Sequence, residues 1–122
     1  MHFTKDHEWV EEAGGVVTIG VTAYAAEQLG DVVFIELPEV GKTVQAGEPL
    51  AVVESVKAAS DIFAPLTGKV VETNSEIIDD PALVNSDAEG EGWFFRLELD
   101  DTTAFEALLD EDAYNEYLET LD

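Results

Sequence analysis

The sequence predicts a mainly β domain with one short internal helix and a C-terminal helical tail. Short apolar or alternating segments recur up to about residue 99, separated by glycine and proline at close spacing, which is typical of a compact all-β unit. Hydrophobic residues make up 46% of the 122 residues, which suffices for one core, and the length favours one domain over two. We therefore expect a single domain over residues 1–122, with a β core at about 3–99 and a helical tail at about 102–121.

The first local signals are a hairpin and a helix. The Ala13-Gly14-Gly15 segment lies between the strand candidates 7–11 and 16–21, and a Gly-Gly pair favours the two-residue turn of a β-hairpin. Thr22 then precedes a run of helix-forming residues that ends at Gly30. A threonine N-cap and a glycine just past the last turn predict one short helix between them.

Further strands follow the helix, the first of them ending before Pro38. They are predicted at residues 32–37, 49–55, 60–63, 68–74 and 93–99. In the last strand, alternation predicts one shared face for Trp93, Phe95, Leu97 and Leu99. Residues 77–92 are rich in Asp, Asn and Gly and predict a loop with one helical turn near 81–84.

The C-terminal segment changes from strand to helix signals. Thr103 and Glu106 have the spacing of a capping box. Four apolar residues then follow at helical spacing: Tyr114, Tyr117, Leu118 and Leu121. Such a stripe predicts a helix that packs on the β core.

The charge is strongly acidic, with 28 Asp and Glu against five Lys and Arg and a net charge of −23. Nucleic acid and anionic lipid are therefore not expected partners, since both require clustered cations. Neither a membrane span nor a targeting segment is visible, so we expect a cytoplasmic protein. Halophilic proteins use a large charge of one sign, and the acidity therefore favours a prokaryotic, salt-adapted host.

The residue types exclude much enzyme chemistry. The chain has no cysteine and two histidines, both near the N-terminus. A disulfide framework, a thiolate zinc site and a cysteine nucleophile are thus excluded. A histidine-rich metal site or a Ser-His-Asp triad is not expected. We predict neither catalytic residues nor a metal site.

The most informative residue is Lys57, which stands between the apolar strand candidates at 49–55 and 60–63. Glycine-containing turns flank this pair of strands. A lysine at the tip of a hairpin is held away from the body of the domain, so another enzyme can acylate its amine. A long prosthetic group attached there would have rigid support and wide reach.

The residues around Lys57 resemble the attachment hairpin of lipoyl and biotinyl carrier domains. The motifs are Val53-Glu54-Ser55-Val56-Lys57-Ala58 and Pro65-x-x-Gly68-x-Val70. A longer run is similar to one branch, the H proteins of the glycine cleavage system. It comprises His7-Glu8-Trp9-Val10, Gly30-Asp31-Val32-Val33-Phe34-Ile35-Glu36-Leu37-Pro38, Leu83-Val84-Asn85 and Gly90-Glu91-Gly92-Trp93. The resemblance implies a flattened β-barrel, the barrel-sandwich hybrid of lipoyl domains.

The same resemblance implies a shuttle that is not itself an enzyme. Lys57 would carry lipoate in amide linkage, attached by a lipoate ligase or a lipoyl/octanoyl transferase. The glycine-decarboxylating P protein would load an aminomethyl group, the aminomethyltransferase T protein would unload it, and dihydrolipoamide dehydrogenase, the L protein, would reoxidise the dithiol. Glu8 and Asp61 occupy positions that hold the amine end of the loaded arm in this family.

Other carrier proteins share parts of this pattern. A lipoate-relay protein that serves lipoylation of other complexes would use the same hairpin and stays open. Biotin acceptors usually place methionines beside the lysine, whereas Val56 and Ala58 stand here. A lipoyl domain of a 2-oxoacid dehydrogenase is normally repeated or tethered by a linker, and no linker is visible.

Two alternatives to a carrier protein are a calcium-binding module and an enzyme. The segment Asn85-x-Asp87-x-Glu89-Gly90 is similar to the start of a calcium loop. Its twelfth position would be Arg96, where a bidentate glutamate is required. The other alternative is an enzyme that uses paired carboxylates. The sequence contains neither a glycine-rich phosphate loop nor a G-x-S-x-G motif to accompany them.

Overall fold

Two antiparallel sheets form the body of the protein in the computed structural model, which describes residues 1–121 except for the side chains of Thr102 and Thr103. The strands are β1 (His2–Phe3), β2 (Glu8–Ala13), β3 (Val16–Val21), β4 (Val32–Glu36), β5 (Thr43–Val44), β6 (Pro49–Ser55), β7 (Ala59–Phe63), β8 (Gly68–Thr73) and β9 (Phe95–Leu99). Six strands pair in the order β1-β2-β3-β9-β8-β5, and three pair in the order β4-β6-β7. The helices are α1 (Ala23–Leu29), α2 (Glu76–Asp79), α3 (Leu83–Ser86) and α4 (Glu111–Glu119), with a 3₁₀ helix at Thr102–Ala107.

The main core lies between the two sheets. Val17, Val70 and Leu97 from the larger sheet belong to the same buried cluster as Val53 and Ile62 from the smaller one. Successive strand residues point to opposite faces, so the alternating segments supply one apolar face to each sheet. The predicted mainly β, lipoyl-domain-like architecture is confirmed. Among the described residues its strands hydrogen-bond as two separate sheets rather than as one closed barrel.

The local signals of the N-terminal half are confirmed. Gly14 and Gly15 connect β2 to β3 with φ angles of 62° and 86°, the positive values that a tight hairpin turn requires at both positions. Thr22 caps α1, because its Oγ1 accepts the Ala25 N–H at 3.2 Å. Gly30 ends the helix with φ of +75°, a conformation that residues with a Cβ rarely adopt.

The predicted loop at 77–92 contains two helical turns instead of one. Helices α2 and α3 each bury one apolar residue, Ile77 and Val84, and neither is exposed to solvent. Burial of these side chains anchors the two short helices to the core. A composition rich in Asp, Asn and Gly does not reveal such isolated anchors.

The predicted shared face of the last strand is wrong for Trp93. Strand β9 begins at Phe95, and its buried residues are Phe95, Leu97 and Leu99. Trp93 precedes the strand and lies against the guanidinium of Arg96, which is 4.1 Å from the ring centroid. This cation–π contact places the indole on the Arg96 side of the sheet.

The C-terminal helix packs on the first strands. Asp110 caps α4 by accepting the Ala113 N–H at 2.8 Å. Tyr114 is buried with Phe3 and Trp9, and Tyr117 and Leu118 pack against them. Leu121 is 42% exposed beyond the end of α4, so the predicted stripe is wrong for this residue. The predicted capping box falls on the Thr103 side chain, which lies outside the described residues.

Within residues 1–121, none of the helices is both long and apolar enough to cross a bilayer.

Candidate functional site

Lys57 lies at the tip of the hairpin that joins β6 to β7, as predicted, and its side chain is exposed. Ser55 holds this tip. The Ser55 N–H donates to the Ala58 carbonyl at 2.8 Å, and the Ser55 Oγ accepts the N–H groups of Lys57 and Ala58, both at 3.2 Å. The backbone that carries Lys57 is therefore fixed, while the amine end of the side chain faces solvent.

The aliphatic stem of Lys57 rests on Gly30. A Cβ atom at Gly30 would stand 3.3 Å from Cε of Lys57, closer than two carbon atoms usually approach. The two segments are also joined through the backbone, because the Val56 N–H donates to the Asp31 carbonyl at 3.0 Å. The positive φ favours glycine at position 30, and a Cβ atom there would make the flexible Lys57 stem shift by a few tenths of an ångström.

Asn85 of α3 bonds to the backbone on both sides of Asp31, in the segment that joins α1 to β4 and here is called the corner. Its Nδ2 donates to the Gly30 carbonyl at 2.7 Å, and its Oδ1 accepts the Val32 N–H at 2.9 Å. Asn85 therefore uses both ends of its amide to fix the corner under the lysine stem. The calcium-loop alternative placed its first ligand at Asn85, and both amide groups are already engaged. Among the described residues, no group of three or more His, Cys, Asp or Glu side chains is arranged to hold a metal ion.

A pocket of about 310 Å³ opens beside Lys57. Val21, Leu29, Val53 and Ile62 form apolar parts of its wall, while Asp6, His7 and Asp61 add polar groups. The pocket therefore combines water-excluding surface with carboxylates near the lysine. Asp61 lies on β7, is exposed, and borders both this pocket and a separate one that it shares with Glu36 and Val52.

Glu8 lies elsewhere. Only 2% of it is exposed, and it lines a neighbouring pocket of about 370 Å³ together with Thr4, Asp6, Phe63 and Leu108. Its Oε2 accepts the Phe63 N–H at 2.9 Å, and its Oε1 accepts the Thr4 hydroxyl at 3.3 Å. The structure therefore places Glu8 and Asp61 in adjacent pockets rather than in one, with Asp6 bordering both.

Burial raises the pKa of Glu8 to about 8 from the ordinary 4.5, and the nearby Asp6 charge adds to the shift, while the bonds from Phe63 and Thr4 oppose it. The native carboxyl therefore holds its proton at neutral pH. Unfolding restores the ordinary pKa, so between pH 4.5 and about 8 the native state binds a proton that the unfolded chain has lost. In this window stability falls as the pH rises.

We expect Glu8→Gln to remove this dependence. The amide oxygen keeps an acceptor for Phe63 but cannot ionise. The free energy of unfolding of the wild type should fall relative to the variant by about 1.4 kcal/mol per pH unit inside the window. Urea titrations from pH 5 to 8 at fixed salt measure this free energy of unfolding for both proteins. Glu12→Gln, at an exposed site on β2, is the control, and parallel profiles for wild type and Glu8→Gln would contradict the assignment.

The two-sheet β fold with an exposed lysine at a hairpin tip is typical of the lipoyl-type carrier domains. Comparison with known proteins specifies the branch. The family model for the glycine cleavage H-protein matches residues 1–121. The chain belongs to the glycine cleavage H-protein family, the lipoyl carriers of the glycine cleavage system.

Individual relatives agree with this assignment. The chain is 59% identical over 119 residues to the glycine cleavage system H protein of Acidiphilium cryptum, covering 98% of this chain and 96% of the relative. It is 58% identical over 121 residues to that of Caulobacter vibrioides, covering 99% and 100%. The crystal structure of the H protein from Mycobacterium marinum superposes with a TM-score of 0.81 at 40% identity, covering 97% and 93%.

Three residues were not predicted to belong to the site: Asn85, His7 and Gly30, the last of which was predicted only to end α1. All three stand in motifs that carry the family resemblance. Membership of these motifs was the only sign in the sequence that they matter. The contacts that place them in the site join segments that are distant in the chain. Asn85, for example, is 55 positions from Gly30.

Proposed function

We propose that Lys57 carries lipoate in amide linkage and that residues 1–122 act as one non-catalytic carrier domain. The observation that supports it is the exposed lysine on a rigid hairpin tip, its stem on Gly30 and a pocket of about 310 Å³ beside it. The residues fit the group, because the tip leaves the amine accessible and the pocket offers an apolar wall. When bound, lipoate supplies a disulfide that would be reduced as it takes up a one-carbon amine fragment, and the dithiol left after unloading would be oxidised back to the disulfide.

The partners follow from this role. The glycine-decarboxylating P protein would load the aminomethyl group, the aminomethyltransferase T protein would remove it, and the dihydrolipoamide dehydrogenase L protein would reoxidise the arm. A lipoate ligase or a lipoyl/octanoyl transferase would acylate Lys57. All of these enzymes must approach the β6–β7 tip, where the side chains of residues 56–59 are exposed.

The chain's own residues shelter the cargo. Val21, Leu29 and Ile62 exclude water from the pocket wall, which matters because water can release ammonia from the loaded protein. Asp61 offers a carboxylate to the cationic amine in the pocket beside Lys57. Glu8 offers a second one in the adjoining pocket, and it gives up its proton when the cation arrives. Charge-assisted hydrogen bonds of this kind are typically worth about 1.5–3 kcal/mol.

Loss of ammonia from the loaded protein tests this shelter. Lipoylated protein is loaded by the P protein with glycine, isolated, and followed by intact mass and released ammonia. We expect Asp61→Asn and Glu8→Gln each to speed the loss about tenfold to hundredfold, the effect of removing one charge-assisted bond. Glutamine replaces Glu8 because alanine would leave the Phe63 N–H without its acceptor.

Glu12→Gln is again the matched control, since Glu72 bonds Arg96 and its removal would disturb an ion pair. Equal rates of ammonia loss in wild type, Asp61→Asn and Glu8→Gln would reject the sheltering role. A lipoylated protein that accepts no aminomethyl group from the P protein would reject the shuttle function and favour a lipoate-relay role.

We also propose a salt-adapted host whose cytoplasm screens the net charge of −23. The support is physical: only two ion pairs join side chains in the described part of the chain, Lys42 with Glu48 and Arg96 with Glu72. Most acidic side chains therefore meet solvent and its cations rather than protein cations.

A further inference from the structure

His7 lies at the wall of the pocket beside Lys57 in an unusual backbone conformation. Its φ is +64°, and it is the one residue other than glycine with a positive φ within residues 1–121. Side chains with a Cβ rarely adopt this region, and such outliers persist only where the surroundings enforce them. Backbone bonds contribute, because the His7 N–H donates to the Thr4 carbonyl at 3.1 Å and the His7 carbonyl accepts the Thr22 N–H at 2.9 Å.

The ring of His7 is held by the C-terminal helix. The Tyr114 hydroxyl of α4 is 2.8 Å from Nδ1 of His7 and 2.9 Å from Oγ1 of Thr22. Tyr114 is itself buried and stacks on Phe3, with ring centroids 4.6 Å apart. The hydroxyl therefore connects the helix cap of α1 to the pocket wall.

The donors and acceptors of these groups determine which atom donates in each of the two hydrogen bonds of the Tyr114 hydroxyl. Oγ1 of Thr22 already accepts the Ala25 N–H, and in the part of the chain that the structure describes Tyr114 is the acceptor available to the Thr22 hydroxyl. Thr22 is only 1% exposed, so water does not replace that acceptor. If Thr22 donates to Tyr114, the Tyr114 hydroxyl proton is free to go to Nδ1 of His7. The opposite direction would leave a buried hydroxyl proton without a partner, which native structures avoid.

We infer that Tyr114 is a positioning residue of the carrier pocket, whose hydroxyl donates to Nδ1 and holds His7 as a neutral imidazole with its proton on Nε2. The inference rests on the proposed function, in which a cationic amine enters this pocket. A neutral ring adds no positive charge to the wall that receives the cation. The C-terminal helix thus completes the site instead of only packing on the sheet.

The surroundings of His7 agree with a neutral ring. Burial lowers the pKa of His7, and Asp6 opposes the shift. Burial also raises the pKa of Tyr114, so the hydroxyl keeps its proton at neutral pH. The titratable groups around the ring come from its own segment, α1, the β6–β7 hairpin and α4: Lys5, Asp6, Tyr24, Lys57, Asp61, Tyr114 and Tyr117.

Nitrogen-15 NMR of the protein without lipoate tests the assignment directly. Two-bond proton–nitrogen correlations distinguish the two neutral tautomers, and His2→Gln assigns the His7 signals. We expect the wild type to show the proton on Nε2 at neutral pH. In Tyr114→Phe, which keeps the stack on Phe3, we expect both tautomers to be populated. Tyr117→Phe is the control, since Tyr117 also lies beside His7, at 5.9 Å between ring centroids, and should leave the tautomer unchanged.

The loaded protein provides the functional measurement. Tyr114→Phe should accept lipoate as the wild type does and lose ammonia about threefold to tenfold faster, the effect expected for one hydrogen bond. A wild-type His7 with its proton on Nδ1 overturns the inference, and so does an unchanged rate of loss in Tyr114→Phe. Failure to lipoylate Lys57 in the wild type would instead reject the proposed function, and the tautomer would still be read from the unmodified protein.

Discussion

Lys57→Arg is expected to abolish lipoylation completely while the protein stays folded. The side chain is exposed at the hairpin tip, and Ser55 fixes the turn through backbone groups. Arginine keeps the positive charge, but its guanidinium stays protonated and cannot attack an acyl donor. Intact mass after incubation with a lipoylating enzyme and lipoate measures the result, and thermal unfolding verifies the fold.

Two other lysines provide matched controls. Lys42 pairs with Glu48 at 3.2 Å, and Lys69 is exposed on β8. Neither stands at the tip of a hairpin, so Lys42→Arg and Lys69→Arg should accept one lipoyl group as the wild type does. Peptide mapping should locate that group on Lys57. Lipoate on another lysine, or full lipoylation of Lys57→Arg, would reject the attachment site.

The thermal midpoint is expected to rise by about 10 °C or more between low salt and multimolar KCl, because the Debye length falls to about 3 Å at 1 M. The physical cause is repulsion within a chain of net charge −23. Such self-repulsion opposes the compact state, and screening relieves it. Calorimetry over a series of KCl concentrations measures the effect.

Salt can also strengthen apolar burial, so a charge variant separates the two causes. Glu116 and Glu119 are exposed on α4, and replacing both with glutamine removes two negative charges without disturbing the core. The double variant should unfold at a higher temperature in low salt and gain less from KCl. A midpoint that stays flat with salt in the wild type would contradict the proposal of a salt-adapted host. Identical salt curves for wild type and variant would show that charge repulsion is not the cause.

The elements that the sequence predicted well are those whose determinants lie within a few residues. Thr22 caps α1 three residues away, and Gly14 with Gly15 turns the first hairpin locally. The lysine hairpin likewise joins strands that are adjacent in the chain. Short-range turn and capping chemistry operates before any tertiary contact forms, so residue type and spacing alone indicate it.

Tertiary packing decided the rest of the site. His7 and Tyr114 are 107 positions apart, and no local pattern indicates that a hydroxyl on the last helix contacts a ring before the second strand. Glu8 and Asp61 both lie next to a pocket, but the fold separates them into two and buries only Glu8, which raises its pKa to about 8. The amino-acid sequence by itself therefore determined the fold class, the family and the place of Lys57 at a hairpin tip. The protonation states and the division of the cavity depend on desolvation and on long-range hydrogen bonds, which exist only once the sheets and the C-terminal helix have packed together.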